Sequence, residues 1–187
     1  MYPTLFRKYP PLDYSVQQFE LEDGDFIDCH WHHPPVKGSQ QAIVILFHGL
    51  AGSYQSPYIQ GMMQHLSKCG YACVLMHFRG CSGRANRTAR AYHSGDTADA
   101  KAWIAHLQKN FPDHPLFAVG YSLGGNMLLK LLAEYGPSSP LCAAVAVCQQ
   151  LGAPARAENK RAAPRPWRLA RWPGAPRLVT GDLLPSL

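Results

Sequence analysis

Apolar residues recur along this chain with two periods, and the switches between them lay out its elements. Residues 16–21 and 26–31 are β-prone and flank Glu22-Asp23-Gly24-Asp25. Asp-Gly between two such arms predicts a hairpin. In the second arm Ile27, Cys29 and Trp31 alternate with Asp28, His30 and His32, the pattern of a half-buried strand, and Pro34-Pro35 closes it. Residues 42–47 are a continuous aliphatic run, as in a parallel strand buried on both faces. Ser56-Pro57 reads as a helix N-cap with Pro at the first helical position. Ile59, Met62, Met63 and Leu66 then follow at helical spacing, and Gly70 ends the helix. A short strand is predicted at 72–76. A helix follows over 97–110, with Ala100, Trp103, Ile104 and Leu107 on one face. After it come a strand at 115–119, a helix at 126–135 stopped by Gly136-Pro137, and a buried strand at 141–148.

The order is a hairpin followed by alternating strands and helices. It predicts an α/β fold with a mostly parallel sheet covered by helices on both faces. Function in such sheets collects at the carboxyl ends of the strands. Three loops fall there: His48-Gly49-Leu50, residues 77–83, and the turn carrying Ser122. Residues 1–148 read as the core, with residues 1–15 laid over it as an extended apron. Residues 149–187 hold 7 Ala, 6 Pro and 6 Arg without periodicity, and read as a disordered or frame-shifted tail.

Charge changes that picture little. The net charge is +6, but residues 1–148 hold 11 Lys+Arg against 10 Asp+Glu, while residues 149–187 hold 7 against 2. The basicity belongs to the tail, which argues against a nucleic-acid face on the fold. The six cysteines show no C-x-x-C pair, and no apolar run is long enough to span a bilayer. A reduced, cytoplasmic chain without cofactor or metal is the expectation.

The candidate chemistry centres on Gly120-Tyr121-Ser122-Leu123-Gly124, between a strand and a helix. That context makes G-x-S-x-G a nucleophile elbow, with the serine at the apex of a turn too tight for neighbouring side chains. A serine needs a base, an orienter for the base and donors for the oxyanion. The backbone N–H of Leu123 offers one donor, and that of Leu50 the other.

Six blocks in order carry a resemblance. They are His48-Gly49-Leu50-x-Gly52-Ser53, Ser56-Pro57-Tyr58, Met76 to Gly83, Asn86-Arg87, Tyr92-His93-Ser94-Gly95-x-Thr97-x-Asp99, and Gly120 to Asn126. Over about residues 5–148 the chain resembles the YheT-like α/β-hydrolases (the AB-hydrolase-4 group). The resemblance implies the α/β-hydrolase fold and action on a small acyl-ester substrate, as a carboxylesterase, lipase or acyltransferase. It matches Ser122 to the nucleophile and Leu50 and Leu123 to the oxyanion hole. The family order places the triad Asp and His after the elbow. Here all nine histidines precede Ser122, and the acids that follow it are Glu134, Glu158 and Asp182. The expectation is therefore a fold incomplete at its carboxyl end, with an inactive fragment as the competing reading.

Other residues invite chemistry. His48 reads as a base or, better, as a brace for the oxyanion loop. His77 and His93 read the same way, as substitute bases or loop braces. Cys29-His30-Trp31-His32-His33 lacks a metal-site pattern. Ser82 reads as a turn residue. The arginines from Arg156 to Arg177 read as a solvated tail, with contact to anionic lipid or RNA as the alternative.

Overall fold

The computed structural model describes residues 12–36 and 38–147. Residues 1–11 of the apron expected over 1–15, and the expected tail, lie outside the described residues, and Ser15 belongs to the first strand. The elements are β1 (Ser15–Glu20), β2 (Phe26–His32), β3 (Ile43–Phe47), α1 (Pro57–Lys68), β4 (Ala72–Met76), α2 (Ala98–Asn110), β5 (Leu116–Tyr121), α3 (Leu123–Tyr135), a short 3₁₀ turn (Gly136–Ser138) and β6 (Leu141–Val147). They form one six-stranded sheet in the order β1-β2-β4-β3-β5-β6. β1 and β2 make the hairpin, and β2 joins β4 antiparallel. β4, β3, β5 and β6 run parallel.

Helices cover both faces, as the period-2 and period-3.6 patterns require. On one face α1 packs Ile59 and Met63 against Leu46, Cys73 and Leu75. On the other, α2 and α3 pack Trp103, Ile104, Leu107, Met127, Leu128 and Leu131 against Ile43, Ile45, Phe47, Val74 and Met76. Alternate residues of β3 and β4 thus feed opposite clusters, which is why these strands are apolar without interruption.

Two expectations are corrected. β6, expected as a buried strand, buries only Leu141, because among the described residues no strand pairs with its outer edge. β2 is buried on both faces and not on one. Its polar face is roofed by residues remote in sequence. Asp28 is paired with Arg84, the His30 ring stacks on Tyr54 at 4.6 Å, and the His32 ring packs near Tyr14. Alternation in sequence therefore marks a polar face here and not an exposed one.

From β3 the chain steps to β4 on one side and later crosses to β5 on the other. Diverging connections open a crevice at the carboxyl ends of β3 and β5, and ligands of such sheets bind at this switch point. At the sheet's end, β6 pairs with β5, and among the described residues no strand pairs with its outer edge.

Candidate active site

β5 ends at Tyr121 and α3 begins at Leu123, so Ser122 alone makes the turn. Its φ of 50° lies in the left-handed region, which a serine occupies only when its surroundings enforce it. The surroundings do. A Cβ on Gly120 would lie 2.5 Å from the Gly124 carbonyl oxygen. A Cβ on Gly124 would lie 2.5 Å from the His48 carbonyl oxygen and 2.6 Å from that of Phe47. Glycine at both positions lets α3 sit directly on β3 and β5. The Ser122 N–H donates to the Val147 carbonyl at 2.8 Å, which ties the apex to β6. The side chain is exposed, and its hydroxyl has no hydrogen-bond partner among the described residues.

The loop after β3 faces this apex. A Cβ on Gly49 would meet the Ser122 Cβ at 3.4 Å. Nearly every amide of the loop is spent. Gly49 N–H donates to the Tyr58 hydroxyl, Ala51 N–H to the Tyr92 hydroxyl and Gly52 N–H to the Gly49 carbonyl. Ser53 N–H donates to the Ser56 hydroxyl and Tyr54 N–H to His77 Nε2. The N–H of Leu50 finds no acceptor among the described residues. Leu123 opens α3, so its N–H has no intrahelical acceptor. Leu50 itself is 74% exposed.

The histidines near the crevice brace it. His48 Nδ1 lies 2.7 Å from the Gly49 carbonyl, and its Nε2 accepts the Phe78 N–H at 3.1 Å. His77 Nδ1 lies 3.0 Å from the Asp28 carbonyl while Nε2 accepts from Tyr54. An amide pointing at Nε2 requires a lone pair there, so the proton sits on Nδ1 in each ring. Burial holds His48 down at about 4 and His77 at about 3, so both stay neutral at pH 7. Neither has a nitrogen left to take a proton from Ser122. His93 is exposed and its Nδ1 accepts the Gly95 N–H. Glu134 is held by Thr97, Lys101 and Lys130. Twelve helical residues at about 1.5 Å each set it about 18 Å from Ser122.

Beneath the loop after β4 lies a cluster of buried charges. Arg79 grips both Asp99 oxygens at 2.7 Å each. Its third nitrogen reaches Asp23 at 2.7 Å and Asp25 at 3.1 Å. Asp25 also accepts from Thr88, from the side chain of Asn86 and from the amides of Phe26 and Arg87. Burial alone would raise its pKa. These donors outweigh burial and hold the carboxyl well below the usual range. Ser82 stands in a bend of the loop after β4, the turn role expected for it.

A strained, exposed serine between a parallel strand and a helix, facing a loop with an open amide, has the geometry of an α/β-hydrolase elbow. The family description of the alpha/beta hydrolase fold matches residues 42–180. The chain belongs to the alpha/beta hydrolase family. Among curated relatives, it is 48% identical over 147 residues to the putative esterase YheT of Escherichia coli, covering 79% of this chain and 43% of that protein. It is 32% identical over 150 residues to mouse phospholipase ABHD3, covering 75% and 36%. The chain thus spans less than half the length of these relatives. Among solved structures, the Pyrococcus furiosus esterase Pf2001 superposes with a TM-score of 0.58 at 24% identity, over 77% of this chain and 56% of that one. That likeness shows the fold.

In this alpha/beta hydrolase the structure brings together the loops carrying Ser122, Leu123 and Leu50. It does not bring His93 or Glu134 into hydrogen-bonding contact with Ser122. Among the described residues no group of three or more His, Cys, Asp or Glu is placed to hold a metal ion. Sequence reasoning missed the buried partners of Arg79, and it missed the two tyrosine hydroxyls on the Leu50 loop. Arg79, Asp99, Tyr58 and Tyr92 all stand inside the six recognised blocks, which was the available signal.

Proposed function

We propose that the chain carries the nucleophile half of a serine hydrolase acting on carboxylic esters. Ser122 Oγ attacks the acyl carbon, and the N–H groups of Leu50 and Leu123 hold the oxygen that becomes negative. The Ser122 proton passes to a base that is not among the described residues and from it to the alkoxide, which leaves as the alcohol when the acyl C–O bond breaks; water then cleaves the acyl-serine, releasing the carboxylic acid and restoring the Ser122 hydroxyl. The carrying observation is the strained, exposed Ser122 at a turn whose two glycines admit no side chain. Relatives named as an esterase and a phospholipase support acyl esters as the substrate class. Exposed Leu50 and Val147 beside the serine support contact with an acyl chain or a lipid surface. Among the described residues no helix is long and apolar enough to cross a membrane. Five described cysteines are unpaired, which supports a reducing, cytoplasmic setting.

A second reading, a catalytically inactive chain, is favoured by the Ser122 hydroxyl that no described base touches. Loss of a triad base costs on the order of 10⁴-fold or more in rate. Steady turnover of p-nitrophenyl butyrate separates the two. The expected result is turnover reduced by about that factor relative to an intact esterase, and abolished by Ser122→Ala. Residual turnover that survives Ser122→Ala would remove Ser122 as nucleophile. Turnover within about tenfold of an intact esterase would remove the inactive reading.

A further inference from the structure

Leu50 sits between two tyrosine hydroxyls. The amide before it, Gly49 N–H, donates to Tyr58 at 3.0 Å, and the amide after it, Ala51 N–H, donates to Tyr92 at 3.2 Å. Peptide groups are planar, so each bond fixes the direction of a whole plane. The plane between these two contains the Gly49 carbonyl and the Leu50 N–H. Its carbonyl is held by Gly52 N–H at 3.0 Å and by His48 Nδ1 at 2.7 Å. In a trans peptide the N–H points opposite to the carbonyl, so Leu50 N–H is aimed away from His48. Three consecutive planes are therefore fixed, and only one donor is left unspent.

The tyrosines differ in what they tie together. Tyr58 lies in the first turn of α1, and its ring packs on Tyr121, the residue before the nucleophile, at 4.8 Å. It joins the Leu50 loop to the elbow itself. A Cβ on Gly52 would lie 2.5 Å from the Tyr58 hydroxyl, so the loop closes tightly around it. Tyr92 stands on the loop after β4 and stacks on Phe78 at 5.0 Å and 7°. Phe78 in turn gives its N–H to His48, and its neighbour Arg79 is locked by Asp99 and Asp25. Tyr92 thereby transmits the rigidity of the buried charges to the amide beside Leu50.

We propose that Tyr58 and Tyr92 are positioning residues that aim the Leu50 N–H at the oxygen of an acyl group on Ser122. The inference rests on the ester-hydrolase reading of Ser122, and neither tyrosine touches the reacting atoms. Donors earn their effect in the transition state, where misplacement by about 1 Å costs about 100-fold. The loss should therefore fall on the chemical step and not on binding.

The test uses the full chain and a fluorophosphonate probe. The Ser122 Oγ–P bond forms, the P–F bond breaks, fluoride leaves and the hydroxyl proton goes to solvent. The limiting rate and half-saturating concentration are measured for wild type, Tyr58→Phe, Tyr92→Phe and the double variant. Melting temperature and Gly52 amide exchange are followed in parallel, because Gly52 N–H bonds neither tyrosine. The limiting rate should fall about tenfold in each single variant and about 100-fold in the double. The half-saturating concentration should stay within about twofold. Gly52 exchange should rise about tenfold in the double variant. Limiting rates within about twofold of wild type in both single variants, or losses that merely track melting temperature, would overturn the proposal. If wild-type Ser122 takes no label, the ester reading fails, and exchange then decides the clamp. Unchanged Gly52 exchange in the double variant overturns it, and a rise sustains it as a property of the loop.

Discussion

The sheet has two edges, and the chain treats them differently. At the β1 edge, Gln17 bonds Trp31 and lies within hydrogen-bonding distance of His106, while Gln18 bonds Arg84 and Glu20 bonds Arg87. Phe19 turns inward onto Trp103. Charges behind that edge are paired, with Arg79 among three aspartates. At the other edge β6 reads Leu-Cys-Ala-Ala-Val-Ala-Val, without a charge or a proline. Val145 is 53% exposed and Val147 44%. Edge strands are normally blunted by charge, proline, bulges or a covering element. Among the described residues the β1 side is closed on itself, whereas the β6 side is open beside Ser122, since Val147 is the residue that receives the Ser122 N–H. Substitutions on the closed side should cost stability, and those on the open side should change association.

The largest effect should come from Arg79→Leu. It strands the buried Asp99 carboxylate and takes one of five donors from buried Asp25, and removing one partner of a buried ion cluster costs about 3–5 kcal/mol. Urea unfolding measures it, and a loss below about 1 kcal/mol would break the contrast between the edges. Gly124→Ala should come next, at about 3 kcal/mol. Its Cβ meets backbone oxygens of Phe47 and His48, which cannot rotate away.

Acid sharpens the same contrast. His48 and His77 titrate at about 4 and about 3 in the folded chain, against about 6.5 when unfolded. Between those values the unfolded chain binds protons that the folded chain refuses. Stability is therefore full above about pH 6.5 and is lost as pH falls toward 4 and 3. Asp25 adds a loss of the same direction below the usual carboxylate range. Urea midpoints should decline from pH 7 to pH 5.5, with about 2.5 kcal/mol gone at the lower end. A flat profile would mean that these rings are not the buried neutral braces described. The smallest effect on stability, within about 0.5 kcal/mol, should follow Val145→Lys on the open edge. That variant should instead reduce self-association in sedimentation. An unchanged association state would show that β6 is not the adhesive edge.

Much of this architecture was legible because its signals are local. The Asp23-Gly24 hairpin, the helix begun at Ser56-Pro57 and the elbow around Ser122 each depend on residues within a few positions of one another. The cover on β2 was not legible. Tyr54 and Arg84, which roof His30 and Asp28, lie far along the chain, and alternation cannot distinguish a polar face met by water from one met by arginine. The Asp25–Arg79–Asp99 cluster was hidden for the same reason. The tyrosine hydroxyls on Gly49 and Ala51 depend on how α1 and the loop after β4 dock onto the crevice. The strand–turn–helix that carries Ser122 was legible in sequence, whereas the unspent amide of Leu50 becomes meaningful only when the bonds on its neighbours are counted.

Ser122 is proposed as the nucleophile, with the N–H groups of Leu50 and Leu123 facing the oxygen it would charge. The structure of the phosphonylated protein tests this most directly. Phosphorus is expected on Ser122 Oγ, with one phosphonyl oxygen at about 2.7–3.1 Å from both nitrogens. An adduct on another residue, or a phosphonyl oxygen turned to solvent away from Leu50 and Leu123, would contradict it.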